Sequence, residues 1–532
     1  MPSTKKLLSI TNLKKYFPIA KSSIFQRQQY YVKANEDISL DIYEGETLGI
    51  VGESGCGKST LGRVLLQLYE QTAGTTMYYG MSRAELAPRY VTDTLRHAKR
   101  YISKLHAAQA RADAASAKVS QLGEAATFFD LQNKNLAVAE YQTAQAHIAK
   151  ILGGFLVRDT EQGAALLYRK ARLEERAAAL SDRIRDIELM LDESEGGTAD
   201  NGKPTNASQL ARLKGRCDRL TRERDGLNAQ IREAEQSIAA IKQAHRDDVE
   251  FQRYEAMLDD GIDLARLKYS EMRILRKDLQ IIFQDPYSSL NPRFTIGQII
   301  EEGLVTHKFF RHGSPKMREH VVRTMKECGL QEYMLFRYPH QFSGGQRQRI
   351  SIARALAVHP KFVVCDECVS ALDVSIQSQI INLLQELKQK EHLTYMFISH
   401  DLSVVRYISD RICVMYLCNV VELADAATVF GDPRHPYTVA LLSSIPTTDM
   451  ESLKKERILL EGSIPSPVKP PDGCKFHTRC WMACDKCRRV PPPLAEIEPG
   501  HFVACHFPER KLDENGNYLF EMPKTEKKSA KE

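Results

Sequence analysis

The stretch GESGCGKST, residues 52–60, constrains this chain more than any other. An apolar run, Thr47 to Val51, leads into it, and from Ser59 the pattern turns helical, with Leu61, Val64, Leu65 and Leu68 on one face. Strand, glycine-rich loop and helix, in that order, is the setting a phosphate-binding loop requires. Gly52, Gly55 and Gly57 let backbone N–H groups curl round phosphate oxygens, Lys58 adds a positive charge toward β- and γ-phosphates, and the Ser59 hydroxyl can bind Mg²⁺. Ser54, Cys56 and Thr60 complete the loop. The expected fold is therefore α/β, built on a nucleotide-binding core.

The natural companion of such a loop, LQIIFQDPYSSLNP at 279–292, lies far downstream. Between about Ser82 and Tyr269 the chain is rich in Ala, Arg, Glu, Gln and Leu, with one marked break, GGTADNGKPTNAS, at 196–208. Leu173, Ala177, Leu180, Ile184, Ile187 and Leu191 alternate spacings of four and three; after the break Leu210, Leu213, Cys217, Leu220, Leu227, Ile231, Ala234, Ile238 and Ile241 do the same, with Arg224 as the exception. This predicts an antiparallel coiled-coil hairpin on the order of 40–55 Å long. Such a hairpin is either a bundle that packs only on itself or a partner-binding arm. Leu86 to Leu156 is expected to be helical too.

The 532 residues exceed one ordinary compact domain. The expected divisions are 1–80 and 270–445 for the split core, 81–269 for the helical insertion, 446–510 for a Cys-rich extension and 511–532 for a disordered tail. The formal net charge of +6, from 74 basic and 68 acidic residues, neither demands nor excludes a polyanion. The start lacks the apolar stretch of a signal peptide, and the longest apolar candidate, Ile412 to Ala424, carries Asn419 and Glu422 and reads as a buried strand. The chain is thus expected in the cytosol, or at a membrane through other proteins. Of 12 cysteines, seven are scattered and five fall between 474 and 505.

KFVVCDE (361–367) is an apolar strand ending in two carboxylates: Asp366 is placed to hold the Mg²⁺ shell and Glu367 to orient or deprotonate an attacking water. Alone, such a pair is more often a solvated strand end. FSGGQRQR (342–349) opens a helical run and makes a second anion-binding nest from Ser343, Gly344 and Gly345, followed by Gln346. A second nest in a chain that already has its loop suggests a nucleotide held by another subunit.

With these elements in this order the chain resembles an ATP-binding cassette (ABC) ATPase, whose signature LSGGQ appears here with Phe342 in place of the leucine. The resemblance implies that Gln284 contacts Mg²⁺ and water, that SALD, ending in Asp373, crosses a dimer interface, that His400 in FISHD senses the γ-phosphate, and that Tyr16 in LKKYF stacks on adenine. It also implies a catalytic dimer with two composite ATP sites. QDPYSSLNPR, DVSIQSQIINLL, HPYTVALLSSIP and GCKFHTRC with PGHFVACHF narrow the resemblance to the oligopeptide/dipeptide importer ATPases over residues 7–80 and 270–508. Departures are Cys368, where a proline usually follows the glutamate, and Cys418, where a glycine is usual.

The implied role is a motor at the cytoplasmic face of a membrane. It would pair with a related second ATPase as a heterodimer and with two integral-membrane permeases, fed by an external peptide-binding protein; no nucleic acid is expected, and the partner of the insertion is unassigned. Cys474, Cys480, Cys487 and Cys505 coincide with the family's C-terminal cysteines, for which the resemblance implies a [4Fe–4S] cluster. The residues themselves leave open Zn²⁺, since Cys484 and Cys487 form a C-x-x-C pair near His477, and free thiols. The competing function is a coiled-coil ABC ATPase of DNA maintenance or repair, but there the glutamine segment precedes the coil, whereas Gln284 follows it.

Overall fold

The computed structural model describes residues 5–21, 28–195, 207–445 and 458–508. Most of the break at 196–208 and the whole of the expected tail at 511–532 lie outside the described residues. The chain forms two compact units: one of Met1–Leu7, Thr11–Thr72 and Arg276–Glu532, the other of Leu8–Ile10 and Ala73–Leu275. The strand Ala73–Tyr78 and the YYG that carries it into the insertion thus group with the helical unit rather than with the core that precedes them.

The first unit is built on an eight-stranded sheet: β1 (Thr47–Val51), β2 (Leu279–Ile282), β3 (Phe362–Asp366), β4 (Thr394–Ile398), β5 (Arg411–Tyr416), β6 (Asn419–Asp425), β7 (Ala495–Glu498) and β8 (His501–Val503), in the order β7-β8-β6-β5-β1-β4-β3-β2. All five residues of β1, β3 and β4 are buried, the mark of strands covered on both faces. β1 runs parallel to β4 and β5, β3 to β4 and β2, with Ile50 beside Ile398 and Asp366 beside the same Ile398. Parallel register gathers the carboxyl ends of β1, β2, β3 and β4 at one edge, where ligands of open α/β sheets bind. Gly52, Gln284, Glu367 and His400 stand just beyond those ends.

Ile412 to Ala424 is not one strand but two, β5 and β6, paired antiparallel. Leu417 and Cys418 between them both have positive φ, 40° and 71°, which makes a two-residue hairpin turn. Neither residue is a usual turn former, so the sequence hid it. β8 adds to β6 with Glu422 opposite Val503, and β7 adds to β8, so the C-terminal region extends the sheet. The helix after the phosphate loop, α1 (Lys58–Leu65), does not continue to Leu68, which is exposed.

In the second unit the helices Thr160–Glu195 and Ala207–Ala244 run antiparallel, since Asp159 meets His245 and Lys170 meets Glu235. Leu173, Ala177, Leu180, Ile184 and Ile187 bury against Leu220 and Leu227. A second helix pair, Ala98–Leu122 and Phe128–Leu152, is separated by Gly123 and re-entered through a capping box in which Thr127 and Asp130 exchange hydrogen bonds. Ala108, Ala112 and Ala139 of these two helices are buried.

Candidate functional site

The loop from Gly52 to Thr60 joins β1 to α1 (Lys58–Leu65) through Gly57, the N-cap, at φ 95°. A Cβ there would stand 2.0 Å from the Ala34 carbonyl oxygen, so only glycine fits. Ser54, Gly55, Gly57, Lys58, Ser59 and Thr60 line a cavity of about 320 Å³, with Phe17, Glu367 and Cys418 on its other walls. Lys58 is almost buried and donates to the Gly52 and Glu53 carbonyl oxygens at 2.7 and 3.1 Å. Cys56 packs beneath the loop, and burial pushes its thiol up despite the nearby Lys58 charge.

Opposite the loop, residues from two strand ends converge on one carboxylate oxygen of Glu367, which follows a third strand. Gln284 Nε2 donates to Glu367 Oε2 at 3.0 Å, and His400 Nδ1 lies 3.4 Å from the same oxygen. Glu367 itself sits at φ 50°, a conformation disfavoured for a side-chain-bearing residue and often tolerated at reactive sites. Asp366 is buried; its Oδ2 receives Arg63 Nη2 at 3.3 Å, while its Oδ1 has no hydrogen-bond partner. That orphaned acceptor is suited to a metal-bound water.

Ser343 caps α2 (Gly344–Leu356) reciprocally with Gln346, each side chain accepting the other's backbone N–H. Asp373 is the N-cap residue of α3 (Val374–Glu391) without a capping side-chain bond. Ser343, Gly344, Gly345, Gln346 and Asp373 line no part of the loop cavity.

Tyr16 is a correction. Its ring is 4 % exposed and its hydroxyl donates to Glu36 Oε1 at 2.6 Å, in a buried group completed by Lys14 and Lys33. Burial alone would raise the Glu36 carboxyl, but the two lysines more than reverse it, and Tyr16 is pushed far up by burial and by that carboxylate. The aromatic ring on the cavity wall is Phe17, the next residue. On an extended strand a one-residue step turns the side chain to the opposite face.

Two further contacts escaped the sequence. Arg479 donates two hydrogen bonds to the Glu53 carboxylate, at 2.8 and 3.2 Å, and the Tyr437 hydroxyl accepts the Glu53 N–H at 2.9 Å. Both residues come from the C-terminal region and hold the phosphate loop. In sequence Arg479 is marked only by its place directly before Cys480 in FHTRC.

Cys474, Cys480, Cys487 and Cys505 line one small pocket together with His435, Phe476, His477, Met482 and Phe507. Burial raises all four thiols, Cys480 to about 12 and Cys505 to about 11, so they stand as neutral S–H groups. Among the described residues no three His, Cys, Asp or Glu side chains are close enough to hold one metal ion. Four thiols are a donor set that serves a thiolate-ligated cluster or a single zinc ion, but the free volume between the walls, about 10 Å³, is that of roughly one water. A cluster requires the thiols to spread. His477 Nδ1 is 2.8 Å from the Cys474 carbonyl oxygen, which sets its tautomer.

Residues 35–155 and 236–370 match a family model described as "ABC transporter", and residues 421–487 match "Oligopeptide/dipeptide transporter, C-terminal region". The chain is 53% identical over 248 residues to the putative oligopeptide transport ATP-binding protein YkfD of Bacillus subtilis, covering 46% of this chain and 75% of that one. It is 51% identical over 254 residues to the oligopeptide transport ATP-binding protein AppF of the same organism, covering 47% and 76%. Against the putative peptide import ATP-binding protein BOV_A0347 of Brucella ovis the identity is 51% over 247 residues, covering 46% and 77%.

Proposed function

This chain belongs to the ATP-binding subunits of oligopeptide/dipeptide ABC transporters, and we propose that it is the ATP-hydrolysing motor of a peptide importer that works with a related second ATPase and two permeases. The observation that carries the reading is the meeting of Gln284, His400 and Glu367 on one oxygen at the wall of the loop cavity. In-line phosphoryl transfer needs a water and a metal held together at such a point.

Ser59, Gln284 and Asp366 would hold Mg²⁺, which when bound neutralises charge on the phosphates. The Lys58 ammonium, now hooked on two loop carbonyls, would exchange them for phosphate oxygens. Glu367 orients or deprotonates the attacking water, and His400 engages the γ-phosphate. Phe17 stacks on the base. Ser343, Gly344, Gly345, Gln346 and Asp373 face the nucleotide of the partner ATPase, in keeping with their absence from this chain's own cavity. Closure of the pair is driven by ATP binding the closed state more tightly than the open one.

An exposed aromatic three residues after Gln284 supports docking on a permease at the cytoplasmic face of the membrane: Tyr287 is 65% exposed with Arg347 stacked on its ring at 3.6 Å. Among the described residues no helix is long and apolar enough to cross a membrane. Cys474, Cys480, Cys487 and Cys505 would ligate a [4Fe–4S] cluster, with zinc the lesser alternative, once the pocket walls spread to admit it. The long helix pair of the second unit is a coiled-coil arm for another subunit or a regulator; replacing 85–268 by a short linker and finding ATPase activity, assembly and transport unchanged would remove that role.

The test is reconstitution in vesicles of this chain with its permeases, second ATPase and peptide-binding protein. Peptide uptake that requires ATP and this chain is expected. Hydrolysis that ignores permeases and peptide would overturn the importer assignment. Nothing in the site favours action on DNA.

A further inference from the structure

Five thiols lie in the C-terminal region, and only four of them share the pocket. Cys484 lies outside its lining, partly exposed, with its Sγ 3.7 Å from that of Cys487, which is buried behind it. Cys484 is the residue before the short helix Asp485–Arg489 and Cys487 is within its first turn, so the C-x-x-C spacing is held by local backbone and not by chance approach of two loops. The two sulfurs need close by only about 1.7 Å to reach the bonded distance. Cys487 therefore has two mutually exclusive neighbours: the pocket thiols on one side and Cys484 on the other.

We propose that Cys484 and Cys487 form a reversible disulfide, a modification site that withdraws Cys487 from the four-thiol pocket. Cys484 is the reachable sulfur. Its thiolate attacks one sulfur of a low-molecular-weight disulfide, whose S–S bond breaks and releases one small thiol. Cys487 then attacks the Cys484 sulfur in this mixed disulfide, forms the internal S–S bond and expels the second small thiol. Two electrons pass from the protein pair to the small disulfide, and the two protein thiol protons end on the two small thiols. Reduction by a small dithiol runs the same exchange backward. Insofar as Cys487 is a metal ligand, which rests on the function proposed above, disulfide formation and metal loading exclude one another.

The experiment uses the full chain, metal-depleted by a chelator under reducing conditions. It is then equilibrated in glutathione buffers of increasing oxidised fraction, and its free thiols are capped with an alkylating agent. Cleavage after Arg479, Lys486 and Arg488 separates Cys484 from Cys487, so the disulfide appears as peptide 480–486 held to 487–488 until a reductant is added. Cys484→Ser should abolish the linked pair. Linkage that persists in Cys484→Ser runs through Cys480 and overturns the proposal, as does full alkylation of both residues at every buffer ratio.

A parallel sample loaded with iron and sulfide, with metal content measured, separates the two readings. Loaded wild-type chain should resist linkage until the metal is removed. Linkage in a chain that takes up no metal upholds the disulfide and defeats the cluster. Linkage in fully loaded chain, with metal retained, overturns the exclusion.

Discussion

The nucleotide site and the thiol pocket are both assembled from residues far apart in sequence, yet they are built on opposite principles. The first is backbone geometry: glycine φ angles, parallel strand ends and a Glu367 held at positive φ leave little freedom in where Lys58, Asp366 and His400 stand. The second is side-chain packing: four thiols gathered by Phe476, Met482 and a short two-stranded addition to the sheet. A site of the first kind tolerates few substitutions and declares itself in motif order. A site of the second kind depends on its walls, and its chemistry is set by what fills it. Arg479 and Tyr437 join the two through Glu53.

The sharpest way to test the rigid half is Glu367→Gln, which keeps size and the contact with Gln284 but removes the base. ATP turnover by the assembled transporter should fall by about a hundred- to ten-thousandfold, with nucleotide binding retained. Steady-state hydrolysis and equilibrium binding of a fluorescent ATP analogue read both. Retained turnover would move catalysis away from the strand ends.

The packed half should answer to pH instead. His435 is a wholly buried wall of the thiol pocket; its Nδ1 accepts the Tyr437 N–H at 3.1 Å, and burial draws the ring down from 6.5 to about 4 despite the Glu422 carboxylate nearby. The unfolded chain takes up this proton near pH 6.5 and the folded chain only near 4. Stability from this residue is therefore whole above 6.5 and is lost as pH falls through the window, by about 3 kcal/mol at the end of it. Urea unfolding at pH 7 and pH 5 should show the loss. His435→Asn, whose Oδ1 can accept the same N–H, should have a flatter profile, and an unchanged one would mean that other groups carry the acid sensitivity.

The same contrast explains what the sequence disclosed. The loop, the strand ends and the signature helix were readable because each joins a residue type to a backbone requirement. The heptad series at 173–191 and 210–241 gave its helices because burial there follows a single period. The β5–β6 turn was not readable, since Leu417 and Cys418 adopt positive φ without being glycine or asparagine. Nor was Arg479, whose partner stands 426 positions away. Cysteine spacing located the pocket but left its occupant open, because thiols accept several soft metals.

Cutting the link should hurt the rigid half modestly. Arg479 is nearly buried and Glu53 partly exposed, so Arg479→Ala should cost about 1–2 kcal/mol of stability, at the lower end for a charge-assisted pair. It should also raise KM for ATP several-fold while leaving kcat near wild type, and Arg479→Lys should restore part of the loss. A lower melting temperature with no change in KM would make the contact a staple and nothing more.

The smallest expected effect decides between neighbouring rings. Phe17 lines the loop cavity, whereas Tyr16 is sealed beneath it with Glu36. Removing a stacking ring costs about 0.5–1.5 kcal/mol, so Phe17→Ala should raise KM for ATP about two- to tenfold with kcat unchanged. Tyr16→Phe leaves the buried Glu36 short of one donor at 2.6 Å and should lower stability by about 1 kcal/mol without touching KM. Measured together, the two variants separate a ring that meets nucleotide from one that only supports the strand. If Tyr16→Phe moved KM and Phe17→Ala did not, the one-residue step in strand phase would have been assigned to the wrong face, and even the rigid half would prove less fixed by its backbone than its glycines imply.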